Sequence, residues 1–212
     1  MLDLGGVAYR YTSVDHFQSK REFQNPIPLT DADKDIQSDS TYYRVFNLNE
    51  GLNGATTAYH HRSIGGYHAA KPAYISQIFD YHIANENYEV LDLLNIKYLI
   101  SNDEEGRRIA SNYPSSKGPI WVAKSIDYQP SLKESFLNLP LISQTESIEI
   151  NELFSFDYEE YRTLSEVEWV EVSSFKENQI SYRYQLDSPA FVVFSEWYYS
   201  PSPEDWVLRT SK

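Results

Sequence analysis

Three of the five histidines of the chain lie in one short segment, ATTAYHHRSIGGYHAAK at residues 55–71. The same segment contains the cations Arg62 and Lys71 and the pair Gly65–Gly66. Imidazole and cationic side chains gathered in this way could ligate a metal or contact a bound ligand. The residues that would contact such a ligand are His60, His61, Arg62, Tyr67, His68 and Lys71.

The metal interpretation is not favoured, because a zinc site needs ligands that converge. His60 and His61 are adjacent, so their side chains diverge in a helix or a strand. The chain has no cysteine, which excludes thiolate ligands. Gly65–Gly66 does not follow a strand in a G-x-G-x-x-G arrangement. We therefore predict no metal and no cofactor. A buried loop of aromatic and imidazole side chains is favoured, with a ligand-facing loop as the alternative.

Carboxylates in the second half of the chain raise the possibility of glycosidase chemistry. They are Asp157, Glu159, Glu160, Glu166, Glu168 and Glu171. Glutamates that alternate with Val and Trp over 166–172 are typical of the solvated face of a strand. The aromatic residues Trp197, Tyr198, Tyr199 and Trp206 could stack on sugars, but packing in a core or at an interface is favoured. No G-x-S-x-G, H-E-x-x-H or Walker motif is present, so no catalytic residue is predicted.

The composition indicates a globular chain. Its 212 residues are 41% hydrophobic, enough to form one large domain or two small ones. The net charge of −13 repels phosphate backbones, which argues against nucleic acid as a partner. Residues 119–212 carry 16 acidic and 7 basic side chains, against 15 and 11 in residues 1–118. No apolar run reaches membrane-spanning length, so we expect this piece to be soluble. Its start lacks signal-peptide features, so we expect it to be cytoplasmic or to lack its targeting segment.

The sequence predicts that the chain divides into three parts, whose helices and strands position the candidate site residues. Residues 1–39 form a lead-in segment that packs on the core. Within it, 3–23 show no sustained period and are predicted to be loop, whereas Thr30 and Asp33 resemble a capping box that starts a short helix. Residues 40–118 form an α/β subdomain, and residues 119–212 form a β-rich, sandwich-like subdomain.

In the α/β subdomain, aromatic and β-branched residues predict a strand at 42–49 and a buried strand at 96–100. A helix is predicted to begin near Pro72, and a second short helix is predicted at 90–94. Residues 101–119 are predicted to be an exposed excursion, that is, a linker or loop that leaves the core. After 119, five short β-like runs surround one helical stretch. The sequence therefore predicts an α+β fold, a small α/β unit followed by an antiparallel β-sandwich or curled sheet.

Four stretches, in this order, resemble the carboxyl-terminal region of YfhO-like bacterial membrane proteins, especially those of Bacteroidetes. They are RYTSVDHFQSK (10–20), DADKDIQSDSTYYRVFNL (31–48), ATTAYHHRSIGGYHAAKPAYISQIFDYHI (55–83) and VLDLLNIKYLIS (90–101). FVVFSEWYYS (191–200) resembles the family's FSE-x-YYP-GW signature. The chain then departs from that pattern, because Ser200 to Asp205 replace the usual proline and glycine before Trp206.

YfhO-like proteins are similar to the multi-pass GT-C class of glycosyltransferases, which use polyprenyl-phosphate sugars. The resemblance implies an extracytoplasmic, periplasmic domain of an integral membrane protein that assists acceptor or glycan positioning in cell-envelope glycosylation. Its partners would be the transmembrane region of the same protein and an envelope glycan or lipid-linked sugar. In GT-C enzymes the catalytic acid lies in an early extracytoplasmic loop, so the full-length protein would be the enzyme and this chain alone would not. The alternative is a non-catalytic carbohydrate-binding or structural interaction module unrelated to transfer.

Overall fold

A computed structural model describes residues 3–12, 17–68, 71–151, 167–176, 179–186 and 190–196. The fold is α+β, as the sequence predicts. Several predicted features lie outside the described residues. They are the carboxylates Asp157, Glu159, Glu160 and Glu166, the side chain of Glu168, the aromatic residues Trp197, Tyr198, Tyr199 and Trp206, and the last four residues of the 191–200 stretch.

Three helices lie in the first 39 residues. They are α1 (Asp3–Tyr11), α2 (Lys20–Gln24) and α3 (Asp31–Gln37). The prediction of loop for 3–23 is therefore wrong. A capping box formed by Ser19 and Glu22 starts α2, and the predicted box of Thr30 and Asp33 starts α3. The described residues of α1 and α2 are exposed, whereas α3 buries one face against the sheet.

The central sheet has three strands. They are β1 (Arg44–Asn47), β2 (Ile96–Asn102) and β3 (Arg108–Asn112). The middle strand β2 runs parallel to β1 and antiparallel to β3. The sequence predicts β1 and β2 because both are rich in β-branched and aromatic residues. It misses β3, a largely exposed edge strand inside the predicted excursion at 101–119.

The parallel pairing of β1 and β2 requires a long crossover, and helices supply it. They are α4 (Thr56–His60), α5 (Ala73–Tyr81), a 3₁₀ turn (Ile83–Asn85) and α6 (Glu89–Leu93). The predicted helix start is confirmed, because α5 begins directly after Pro72. Between α4 and α5 the chain runs along the outer edge of β1. The Val45 amide donates to the Arg62 carbonyl (2.9 Å), and the Ile64 amide donates to the Val45 carbonyl (3.2 Å).

Each face of this sheet covers a separate hydrophobic cluster. Adjacent residues of β1 point to opposite faces, so Phe46 packs with α6 and Val45 packs with α3. The α6 cluster contains Phe46, Ile83, Val90, Leu91, Leu94 and Ile96, and the α3 cluster contains Ile36, Tyr43, Val45 and Ile100. Burying one such side chain stabilises the fold by about 1.5–3 kcal/mol. The α3 cluster thus fixes α3 beside β1.

The described residues after 119 contain six strands and two helices. They are β4 (Ile120–Val122), β5 (Ser125–Tyr128), α7 (Leu132–Leu137), α8 (Leu139–Thr145), β6 (Ser147–Ile150), β7 (Val167–Lys176), β8 (Gln179–Leu186) and β9 (Val192–Phe194). The pairs β4–β9 and β7–β8 are antiparallel, and Glu171 is exposed as expected for a solvated strand face. The pair β5–β6 is parallel because α7 and α8 lie between its strands. None of the helices described is long and apolar enough to cross a membrane.

Candidate ligand-binding pocket

An open pocket of about 390 Å³ lies where α3, α4 and the segment after α4 meet. We call it the α4 pocket. Its described lining residues are Gln37, Tyr43, Ala58, Tyr59, His60, His61 and Arg62. The structure therefore brings together three of the six residues that the sequence predicts for a ligand site, namely His60, His61 and Arg62.

The end of α4 determines how these side chains point. Tyr59 and His60 occupy its last turn, and His61 follows in an extended conformation, with its amide bonded to the Thr57 carbonyl (3.0 Å). The chain then joins the β1 edge. Because the backbone changes from helical to extended between the two histidines, their rings diverge, with centroids 6.3 Å apart and an angle of 67° between the planes. This divergence agrees with the prediction that the side chains of adjacent histidines point apart.

His61 points into the protein, where Asp33 accepts its hydrogen bond. The distance from Nε2 to Asp33 Oδ1 is 2.9 Å, and the two side chains are 3% and 0% exposed. Burial lowers the pKa of His61, and the nearby Asp33 carboxylate offsets only part of that effect. The neutral imidazole thus donates from Nε2, and so little of it is exposed that it cannot act as a general base on a substrate.

Asp33 is charged despite its burial. Burial alone would raise its pKa, but hydrogen bonds from Thr30 and His61 and the nearby Arg108 guanidinium hold it below its usual value. Thr30 donates to Oδ2 from its amide (3.0 Å) and its hydroxyl (2.6 Å). Arg108 Nε lies 3.9 Å from Oδ1. One carboxylate therefore caps α3 and also holds the residue that ends α4.

Further polar side chains extend these contacts beneath the pocket. Arg108 donates to the Thr57 hydroxyl, and its Nη2 lies 3.5 Å from Glu50 Oε1. The Asn47 amide donates to both Glu50 (3.1 Å) and Thr57 (3.0 Å). We call this set the Asp33 network, and its members are Asp33, Asn47, Glu50, Thr57, His61 and Arg108. Apart from His61, the sequence does not identify these residues as members of a site, because they come from distant segments. Only Asp33 has a local sequence signal, which is its place in the capping box of α3.

The exposed rim of the pocket combines an aromatic ring with polar groups. The Tyr59 ring is 56% exposed and lies edge-on to His60, with centroids 5.0 Å apart. His60 Nε2 lies 3.0 Å from the Ile27 carbonyl, which can only accept. The proton of a neutral His60 is therefore on Nε2, and Nδ1 remains an acceptor. The Gln37 side-chain amide donates weakly to the His60 carbonyl (3.4 Å).

Arg62 is held against two aromatic rings. Its Cζ lies 4.6 Å from the centroid of Phe175 and 5.4 Å from that of Tyr42, and the two rings are themselves 5.1 Å apart. The Tyr42 hydroxyl in turn donates to Glu196 (2.8 Å), which forms an ion pair with Arg44. Glu196, in the 191–200 stretch, thus helps to fix the Tyr42 ring that contacts Arg62.

The other three predicted residues do not line the pocket. Tyr67 is 79% exposed, and His68 is also exposed. Lys71 Nζ donates to the Leu52 carbonyl (2.9 Å) and to Asn53 Oδ1 (3.1 Å). Lys71 therefore ties its own segment to the loop after β1, which is a structural role.

The two glycines of the segment serve different purposes. Gly66 has φ +145°, a backbone angle that residues with a side chain rarely adopt, so glycine is favoured at this position. At Gly65 the constraint is space, since a Cβ would lie 2.5 Å from the Gly51 carbonyl oxygen. Both glycines let the segment approach the loop that Lys71 contacts.

The chemistry available at the α4 pocket is that of binding. Its described lining has a guanidinium, two imidazoles, an amide and two phenol rings, but no carboxylate. Paired carboxylates for glycoside hydrolysis are therefore not among these residues. Across the described ranges, no three His, Asp or Glu side chains are grouped to hold a metal ion. No protein-family model, curated protein or solved structure matches the chain.

Proposed function

We propose that this chain is an extracytoplasmic domain of a YfhO-like membrane protein, and that it binds a glycan at the α4 pocket without catalysing transfer. The observation that carries the binding role is the pocket rim, where an exposed tyrosine ring adjoins an imidazole acceptor, an amide and a guanidinium. Sugars are bound in this manner, with a ring face on an aromatic side chain and hydroxyls on polar groups. The membrane context is supported by the five stretches that resemble YfhO-like proteins.

The pocket supports a positioning role better than a catalytic one. His61, the histidine with an acid partner, is only 3% exposed and points away from solvent. The accessible groups can donate and accept hydrogen bonds, but they include no nucleophile next to a base. Transfer would then depend on residues of the membrane-embedded part, and this domain would hold the acceptor near them.

A structural module unrelated to transfer is the second candidate, and specific contacts favour it for part of the segment. His61 is committed to Asp33, and Lys71 is committed to Leu52 and Asn53. These two residues pack the segment whether or not a ligand binds. The candidates therefore differ only in what the exposed side chains Tyr59, His60 and Arg62 do.

Binding of the 212-residue chain to an array of bacterial envelope glycans tests the proposal. We expect Tyr59→Ala to weaken binding about two- to twelvefold, since an aromatic stacking contact contributes about 0.5–1.5 kcal/mol. Tyr9→Ala is the matched control, because Tyr9 is 82% exposed on α1, away from the pocket lining. If no glycan binds, or if Tyr59→Ala binds as the parent does, the α4 pocket is not a glycan site.

The membrane assignment has a separate test. The native reading frame upstream of Leu2 should encode multiple membrane-spanning helices. A frame without them removes the YfhO-like part of the proposal but leaves the binding part intact. In the full-length protein, Tyr59→Ala should reduce glycan transfer, whereas Tyr67→Ala and His68→Ala should have little effect because neither side chain lines the pocket.

A further inference from the structure

Arg62 is a cation with no anionic partner in the described part of the chain. Three other arginines, Arg44, Arg107 and Arg108, form ion pairs with carboxylates. Within the described ranges the Arg62 side chain contacts aromatic rings and forms neither an ion pair nor a hydrogen bond. Such a partner is easily available in a chain with 31 acidic and 18 basic residues. Because Arg62 also lines the α4 pocket, it is a candidate for binding an external anion.

The aromatic contacts leave the guanidinium able to bind. An aromatic ring attracts a guanidinium electrostatically but supplies no oxygen acceptor to its five N–H donors. Phe175 and Tyr42 thus limit where the Arg62 guanidinium lies, while no hydrogen bond within the described ranges occupies its donors. A guanidinium held in this way matches the two oxygens of a carboxylate or a phosphate and loses less freedom on binding than a free side chain.

The neighbouring carboxylates are engaged elsewhere. Asp33 binds His61 and lies near Arg108, Glu196 binds Arg44, and Asp39 binds Lys97. Each of these carboxylates is already paired within the protein. They therefore offset the positive potential of Arg62 at the pocket less than the net negative charge of the chain suggests. That potential reaches Tyr43 in the pocket lining, where it opposes the rise in the tyrosine pKa that burial and Asp39 cause.

We propose that the α4 pocket takes an acidic sugar, with the sugar ring against Tyr59 and its carboxylate or phosphate on the Arg62 guanidinium. This inference rests on the proposed glycan site and narrows it to one ligand class. The uronic acid and the phosphorylated sugar share the chemistry that Arg62 recognises, which is a planar or tetrahedral oxyanion attached to a pyranose. His60 Nδ1 then accepts from a ring hydroxyl.

Titration of the 212-residue chain with three matched oligosaccharides tests the inference: a neutral glucan, its uronic acid counterpart and its phosphate ester. We expect at least one acidic ligand to bind about tenfold or more tightly than the neutral one, because hydrogen bonds to charged groups are about twice as strong as neutral ones. High salt should reduce this preference. The preferred acidic ligand identifies the source of the oxyanion.

Three variants assign the preference to Arg62. Arg62→Gln should abolish it, Arg62→Lys should retain part of it, and Arg21→Gln removes an equal charge from an exposed helix as the control. Thermal unfolding of each variant checks that the fold is retained. The Lys variant keeps the inference testable if the Gln variant unfolds.

The possible outcomes separate the two proposals. If neutral and acidic ligands bind equally, or if Arg62→Gln keeps the preference, the inference is wrong but the glycan site stands. If inorganic phosphate or acetate binds as tightly as the acidic sugars, the anion site stands and the glycan function fails. If none of the ligands binds, both are wrong.

Discussion

Replacing Asp33 tests whether the Asp33 network fixes the α4 pocket. Two variants separate its charge from its hydrogen bonds. In Asp33→Asn, the side-chain oxygen can still accept from Thr30, and the new amide can donate to His61 if the imidazole proton moves from Nε2 to Nδ1. In Asp33→Ala, Thr30 loses its acceptor and the buried Nε2–H of His61 has no partner.

The expected losses differ because the two variants remove different interactions. Asp33→Ala takes one partner from a buried charged cluster and also removes the side chain of the α3 capping box. We therefore expect unfolding free energy to fall by about 3–5 kcal/mol. Asp33→Asn keeps the geometry and loses only the charge, so we expect about 1–3 kcal/mol. Asp31→Asn is the control, because Asp31 is 93% exposed and forms its ion pair with Lys34 on the helix surface.

The same network predicts a loss of stability in acid. The folded pKa of His61 lies below its reference value of 6.5, so below that pH the unfolded chain takes up a proton that the folded chain resists. The free energy of unfolding therefore falls as pH drops from about 6.5 through the folded pKa, by at most about 1.4 kcal/mol per pH unit. Asp33 adds to this loss below 3.8, because its folded pKa is also lowered.

Chemical denaturation at several pH values between 7 and 4 measures the His61 effect. His61→Gln should flatten the slope below pH 6.5 relative to the parent. Asp33→Asn should extend the slope to lower pH, because His61 then keeps the effects of burial, Arg108 and His60, all of which lower its pKa, but loses the carboxylate that raises it. If His61→Gln has the same pH slope as the parent, or if Asp33→Ala costs no more than Asp31→Asn, the network does not stabilise this region.

Two further predictions concern the contacts around the network. Gly65→Ala should destabilise the chain by about 1–3 kcal/mol, because its Cβ would lie 2.5 Å from the Gly51 backbone oxygen. Gly6→Ala is the control without a clash, since the added Cβ meets no atom within 4 Å and Gly6 has no positive φ. Glu196→Gln should cost about 1.5–3 kcal/mol in thermal or chemical unfolding, since Arg44 is largely buried and loses its charged partner. An unchanged unfolding free energy in either variant would mean that the Gly65 contact or the Glu196 ion pair does not stabilise the fold.

Local signals in the sequence are enough to predict the elements that support the pocket. The Thr30 and Asp33 capping box acts over three residues, so the start of α3 can be read directly from the chain. The same signature at Ser19 and Glu22 starts α2, but no hydrophobic period follows it, so periodicity does not reveal this helix. The sequence does not predict β3 for a related reason, because an exposed edge strand shows little alternation of apolar and polar residues.

The site itself depends on contacts that no local pattern encodes. Asp33 and His61 are 28 positions apart, and Arg44 and Glu196 are 152 apart. The sequence places three histidines in one segment and indicates that adjacent rings diverge. It does not indicate which ring turns inward, because that depends on α3 lying beside the β1 edge. The same prediction therefore applies to His60 and His61, yet one lines an open rim and the other is buried.

The different orientations of His60 and His61 also explain how a firmly held backbone can present side chains that remain available to contact a ligand. The buried ring of His61 fixes the end of α4 through Asp33, so the backbone of His60 and Arg62 is held from below. The side chains above it need form few contacts of their own for stability, which leaves Tyr59 exposed and Arg62 without an anionic partner among the described residues. Substitutions at Asp33 should therefore affect stability and binding together, whereas Tyr59→Ala and Arg62→Lys should affect binding alone. A pocket whose support and contacts were the same residues would not show this separation.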